Sequence, residues 1–351
     1  MNSVPSKLEN NNLDELYRKN RIKSISFLVI LGILLLCSIL FSLRAGSYET
    51  PIGELIKGIF GLSSDKKINL VVRNNRLPRI ITAVLAGGGL GLAGCILQAV
   101  LRNPLASSST LGVSQGATFG AAFAIVVLGL GANDRFGIPA CAFLGSIAVA
   151  LVILGLSKFR QVSPEGIVLA GVAISSMFTG ATTLIQYFAD EVQLSTLVFW
   201  TYGDLGSASW KELGTLAAVV AILSVYCFLH RWDYNALLSG EETAISLGIN
   251  VKRLTLVGML LCCLTSSVVV SCVGLISFIG LVAPHIVRMV VGNNHVYLIP
   301  GSILGGATLL LLGDLFARTV ISPVILPIGA ITSFLGGPLF LYLLFKGGKR
   351  Q

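Results

Sequence analysis

The sequence predicts an all-α polytopic membrane protein with about ten transmembrane helices. Of its 351 residues, 54% are hydrophobic and only 12% are charged, whereas a soluble domain carries about 25% charged residues. The mean hydropathy is +0.85. The apolar residues fall into runs, each near the roughly 20 residues that a spanning helix needs. The 39 glycines suit helices that pack closely within a bilayer.

The elements follow in chain order. Residues 1–24 are polar and carry the basic stretch RKNRIK ahead of the run ISFLVILGILLLCSILFSL, residues 25–43. A secretory signal has an apolar region of about 7–15 residues and a small-residue cleavage site. This run has 19 residues and continues into RAGS, so it reads as a retained first span with a cytoplasmic N-terminal segment, 1–24. Further spans are predicted at 80–101, 110–131, 138–156, 166–189, 213–230, 254–273, 274–291, 296–317 and 324–345. The apolar stretch 254–291 is too long for one helix at ordinary tilt, and SCVG, residues 271–274, offers the turn. Gly87-Gly88-Gly89, Pro284, Gly305-Gly306, Pro327 and Gly336-Gly337-Pro338 lie inside spans. Such breakers are tolerated where a helix packs on protein or lines a cavity. The reading is one membrane domain, 25–346, and a short tail, 347–351, with both termini in the cytoplasm.

The net charge of +9 acquires meaning from its location. With this topology 15 of the 25 basic residues are cytoplasmic and ten external, a modest bias in the usual direction. Seven of the external ones lie in the loop between the first two spans, among them Arg73, Arg76 and Arg79. A concentration of that kind suggests a purpose for the loop.

Several chemistries are excluded. The seven cysteines (37, 95, 141, 227, 262, 263 and 272) lie in apolar runs without a C-x-x-C or Cys/His ligand spacing. They read as small buried hydrophobes, and no metal site or disulfide is expected. Span centres contain no Asp, Glu or Lys, the groups on which ion coupling usually depends. Asp190 and Asp314 fall at span ends and read as interfacial, solvated side chains. His285, in VAPHIVR, reads as a structural residue bonding carbonyls freed by Pro284 rather than as a proton relay. There is no G-x-x-x-x-G-K-[ST], H-E-x-x-H or G-x-S-x-G, so neither nucleotide binding by a P-loop nor intramembrane hydrolysis is expected. A glycine-rich bundle without its own energy source implies a pathway driven by a partner.

One cytoplasmic stretch is suited to receive that partner. In RWDYNALLSGEETAISLGINVKR, residues 231–253, Ser239 followed by Glu242 has the pattern of a capping box. Leu238 is placed to pack back on the new helix, Gly248 to stop it, and Ala244 and Leu247 to share an apolar side. A linker helix resting on lipid headgroups is the alternative. Glu241 and Glu242 argue against it, because headgroup binding favours basic residues.

The ordered motifs RLPR (76–79), GLGLAGCILQ (89–98), RNPLA (102–106), LGVSQGA (111–117), GEETAISLGI (240–249), GLISFIGLVAPHIVR (274–288), GDLFAR (313–318) and LPIGAITSFLGGPLFLYLL (326–344) carry a resemblance. Over roughly 70–346 the chain resembles the membrane permease subunit of ATP-driven importers for vitamin B12, iron–siderophores and haem.

The resemblance implies a second permease subunit, identical or different, two ATPase subunits below and an extracytoplasmic substrate-binding protein above. No cofactor is then expected on this chain, ATP and magnesium belonging to the ATPases, and no nucleic acid is implied. It implies that 235–250 is the coupling segment, with Ser239, Gly240, Glu241, Glu242, Ala244, Leu247 and Gly248 at the ATPase dock. Asn103, Leu105, Val162 and Ser163 would form the cytoplasmic gate. Ser163-Pro164-Glu165 also reads as an ordinary helix start. Arg76, Arg79 and Arg318 would face acidic residues of the binding protein, an arrangement suited to guanidinium–carboxylate pairing and electrostatic steering. Lipid phosphates are the competing partners for such arginines. The chain departs from the family's P-x-E-L-P before the last helix, reading PVILP (323–327), with Ile325 at the glutamate position. The expected cargo is an iron–siderophore, with B12 or haem as alternatives within the family. An ion-coupled secondary transporter is the alternative outside it.

Overall fold

The computed structural model describes residues 7–45, 51–132, 134–158 and 163–347. Helix α1 (Lys7–Arg44) starts well before its apolar run, so the polar stretch and the first span share one helix. Helices α2 (Ile52–Ile59) and α3 (Lys66–Val71) occupy the first loop. A π-turn over Val72–Arg76 joins α3 to α4 (Leu77–Val100), making Lys66–Val100 one 35-residue helix. Next come α5 (Val113–Ala122), with a π-helical extension to Val127, α6 (Gly137–Lys158), α7 (Pro164–Tyr187), α8 (Glu191–Tyr202) and α9 (Trp210–Leu229). Two short helices, α10 (Arg231–Leu238) and α11 (Glu241–Ser246), precede α12 (Val251–Val273), α13 (Ile279–Val291), α14 (His295–Thr319) and α15 (Ile328–Gly347). Seven helices are long and apolar enough to cross a bilayer, and Val113–Val127, Ile279–Val291 and Ile328–Leu343 are shorter apolar ones. Together they account for the ten spans expected, and no strand occurs among the described residues.

Local chemistry sets the boundaries. Ser163 accepts a hydrogen bond from the Gly166 N–H at 3.1 Å, Pro164 opens the helix and Glu165 stands in its first turn, the start read from the sequence. Complete capping boxes open α8 (Asp190 with Gln193) and α9 (Ser209 with Glu212). Sequence reasoning took 190–212 for a loop and missed α8, although Asp190 followed by Gln193 was a usable signal. The turn expected at 271–274 is present. Helix α12 stops at Val273, and Gly274 adopts φ +75°, a left-handed backbone that favours glycine.

Lipid supplies no hydrophobic drive between helices, so close van der Waals packing holds such a bundle together. Helix α4 lies at its centre, against α14, α13, α12 and α9. A Cβ added to Gly87 would overlap the Gly306 carbonyl of α14, and one at Gly94 would overlap the Gly280 carbonyl of α13. Gly116 and Gly145 seal α5 to α6 in the same way. Around these contacts Leu92, Ile96 and Leu97 are fully buried. Cys95, Cys227, Cys262 and Cys263 are buried free thiols, but Cys37 is exposed on α1, which corrects the expectation that all seven are interior.

Candidate functional site

The sequence-predicted residues gather at two opposite ends of the bundle. At the first end, α4 begins beside the C-terminal end of α14. Asp314 is 0% exposed and takes one guanidinium on each carboxylate oxygen. Arg79 Nε donates to Oδ1 at 2.8 Å, and Arg318 Nε, one turn along α14, donates to Oδ2 at 2.9 Å. Arg79 Nη1 also reaches Asp204 Oδ1 at 3.1 Å. Arg318 donates further to the Ala45 carbonyl and to Ser42 Oγ, and Arg76 donates to the Leu43 carbonyl at 2.8 Å. Two arginines and two aspartates thus join α1, α4, α14 and the loop after α8.

This geometry corrects one expectation and changes the setting of another. Asp314 is not an interfacial, solvated group. Desolvation would penalise a lone carboxylate heavily, and the paired guanidinium contacts offset that cost. Asp190 is exposed as expected and caps α8. The arginines expected to meet a partner point inward, with the side chains of Arg79 and Arg318 only 7% and 8% exposed. Exposed cations at this end include Lys66, Lys67 and Arg73 in the first loop and Arg135 beside a cavity that adjoins the cluster. This open cavity has a volume of about 1070 Å³, and Arg79, Asp204, Glu212, Ser271 and Trp200 are among its lining residues. Ile325 also faces it, placing an apolar side chain where the resemblance leads one to look for a glutamate.

The second end holds the residues that the resemblance assigns to the coupling segment and the gate. The capping box read at Ser239 and Glu242 is absent. Helix α10 runs to Leu238, Ser239 takes a helical backbone at its C-terminus, and Gly240, with φ +117°, occupies the N-cap of α11 without a side-chain bond. An N-cap needs a non-helical backbone, and at this position glycine has the necessary freedom. Leu238 is 48% exposed and does not pack back on the helix. Ala244 is fully buried whereas Leu247 is 66% exposed, so the two do not share an apolar face. Gly248 ends the segment with φ +83°, as expected. Exposed Ile245 and Leu247, with Glu241 and Glu242, leave α11 an amphipathic outer side above an anchored base.

The gate loop meets α11 through Arg102, whose guanidinium lies 3.7 Å from the Glu241 carboxylate. Asn103 Oδ1 accepts from the Leu105 N–H at 2.9 Å, closing an Asx-type turn, and leaves Leu105 41% exposed. Val162 lies outside the described residues. Sequence reasoning missed the connection behind α10, where Asn235 Oδ1 accepts from the His295 N–H at 2.7 Å and Asn235 Nδ2 donates to Asn294 Oδ1 at 2.9 Å. These bonds tie the coupling segment to the start of α14, the principal neighbour of α4.

Between the ends, both His285 ring nitrogens are buried without a well-formed hydrogen bond, and the ring stands edge-on to Phe340 at 5.9 Å. The ring also approaches the Leu343 backbone, so packing and a main-chain contact, both on α15, hold it in place. Helix α7 is exposed along much of its length and carries Ser176, Thr179 and Thr183 outward. A face bathed only in lipid would be more uniformly apolar.

The architecture is that of a polytopic α-helical membrane bundle, with two short helices at one end and a hydroxyl-bearing open face on α7. The chain matches the FecCD transport family over residues 34–346 and belongs to it. It is 49% identical over 345 residues, 96% of this chain and 98% of the other, to a protein of Methanocaldococcus jannaschii named as an ABC transporter permease. It is 34% identical to the hemin transport system permease of Yersinia pestis, over 92% of this chain and 97% of that one. A solved metal-chelate type ABC transporter in an inward-facing conformation superposes with TM-score 0.80 at 30% identity, covering 92% of this chain and 99% of that one. The chain is therefore an integral membrane permease subunit of an ABC importer, a transport component rather than an enzyme. The ion-coupled alternative is set aside.

Proposed function

We propose that this permease carries an iron–siderophore complex delivered by an extracytoplasmic binding protein. Two such subunits, alike or different, enclose the pathway, and two ATPase subunits drive it from the α10–α11 end, which is then the cytoplasmic end, with both termini there. The observation that carries the coupling role is α11 itself, anchored by Ala244 and presenting Ile245 and Leu247 to solvent. An exposed apolar pair on a short, firmly seated helix suits a cleft in a soluble partner. The outward hydroxyls of α7 suit a pathway wall shared with the second permease.

The cargo reading draws support from the relatives. One is named for hemin and the solved neighbour for metal chelates, both metal ions enclosed by organic ligands. Siderophore complexes belong to that chemical class. The binding-protein end is the arginine end. There Lys66, Lys67 and Arg73 supply the exposed charge that steers an acidic partner, while Arg76, Arg79 and Arg318 stand behind them, the latter two held by Asp314.

Uptake of radiolabelled iron–siderophore, hemin and cobalamin by a deletion strain, with and without this chain and its partner subunits, tests the reading. Restoration of siderophore uptake alone is expected. Restoration of only hemin or only cobalamin uptake would overturn the choice of cargo and leave the permease assignment standing.

A further inference from the structure

A basic cavity at the α10–α11 end has no part in the coupling or gate arrangement. Its volume is about 1030 Å³, and it lies between residues 18–24 of α1, Trp232 of α10 and the turn from α13 to α14. Arg18, Arg21, Lys23 and Arg288 line it, together with Trp232 and Tyr297, and no acidic side chain does. None of the four cations makes an ion pair among the described residues. Arg288 is the informative member. It is only partly exposed, on the last turn of α13, and holding an unpaired guanidinium in packing is unfavourable.

We infer that this cavity binds the phosphate headgroup of an anionic phospholipid. Guanidinium forks match phosphate oxygens bidentately, and basic pockets between membrane helices are suited to such headgroups. The surroundings favour a lipid over a free phosphate. The cavity opens where the apolar run of α1 begins, and Ile25, Val29 and Ile30 on that run are 44%, 55% and 60% exposed. Acyl chains anchored by a headgroup here have an apolar track to follow. Trp232 is 61% exposed at the rim, as suits an aromatic at the level of the headgroups. Bound lipid would clasp the N-terminal part of α1 to the α13–α14 turn, beside the Asn235–Asn294 bond that steadies α10.

The test uses the purified full-length chain, delipidated in detergent and titrated with phosphatidylglycerol or phosphatidylcholine under native mass spectrometry. Wild type should retain phosphatidylglycerol about tenfold better than phosphatidylcholine, since each cation near an anionic surface contributes measurably. Arg18→Ser/Arg21→Ser/Arg288→Ser should reduce that preference to about twofold or less. If the triple variant does not fold, Arg18→Ser/Arg21→Ser, at exposed positions, should still lower it. Lys66→Ser/Lys67→Ser/Arg73→Ser removes equal charge at the far end and should leave it unchanged. No preference in wild type, or equal loss in the far-end variant, overturns the site. Displacement of phosphatidylglycerol by millimolar inorganic phosphate overturns the lipid as its source.

Discussion

Asp314→Asn keeps the shape of the carboxylate and removes the charge between two arginines. Removing one partner from a buried ion pair costs about 3–5 kcal/mol, because the other charge stays behind unpaired. Here both guanidiniums retain something. Arg79 keeps Asp204 at 3.1 Å, and Arg318 keeps Ser42 and the Ala45 carbonyl. The loss should therefore fall near the lower bound, about 3 kcal/mol. Asp204→Asn breaks the same network at a carboxylate that is 58% exposed, where solvent screening limits the loss to about 1 kcal/mol or less. Chemical unfolding of both variants in one detergent, followed by tryptophan fluorescence, gives the comparison. Asp314→Asn should be the less stable by a wide margin. Replacing the pair together, as Asp314→Leu with Arg318→Met, should recover part of the loss, since apolar substitutes of similar volume leave no charge stranded. Equal stability of the two single variants, or wild-type stability of Asp314→Asn, would refute the assignment of Asp314 as the buried centre of the cluster.

The remaining predictions concern other parts of the molecule. Leu247→Asp should lower co-purification of the ATPase subunit, by an amount commensurate with the 1.5–3 kcal/mol of a buried leucine, roughly tenfold or more. It should leave unfolding of the isolated chain unchanged because Leu247 is 66% exposed; unaltered co-purification would remove α11 from the dock. His285→Gln should leave uptake intact from pH 6 to pH 8, since the ring packs on Phe340; a displaced pH profile in an uptake assay would point to a proton-carrying histidine. Ser163→Ala should destabilise the start of α7 by about 1 kcal/mol, visible as faster hydrogen exchange over its first turn. Gly94→Val drives a side chain into the Gly280 carbonyl, and full-length protein in the membrane fraction should fall sharply.

Much of the fold was legible because span length and apolar runs are one-dimensional signals. The ten spans, the Gly274 break and the Ser163 cap can all be read by eye. Helix α8 was not, because its apolar face is short and its start resembles a loop. The candidate site was legible in part. Gly248 and Asn103 announce their turns through local backbone chemistry. Asp314 does not announce its burial, since its partner Arg79 lies 235 positions away and no local pattern encodes that pairing. The Ser239 box failed for a related reason. The stretch S-G-E-E satisfies the motif, but α10 claims Ser239 first, and the glycine beside it takes over the turn.

The glycine seams also govern how the bundle moves. Where Gly87 meets Gly306 and Gly94 meets Gly280, main chain rests on main chain. Sliding α4 by one turn, about 5.4 Å, would drive Leu90 or its neighbours into the backbone opposite. Helices α4, α13 and α14 are therefore joined along one seam, and α5 with α6, at Gly116 and Gly145, along another, with α12 packed against both α4 and α6. The chain passes from the first set of helices to the second through residues 101–112, where Arg102 at φ 45° and Gly112 at φ 87° supply the left-handed bends. That same stretch carries Asn103 and Leu105, the residues proposed for the gate, so a rotation of one set against the other would displace them. The Arg102–Glu241 pair, 3.7 Å apart, links this stretch to α11.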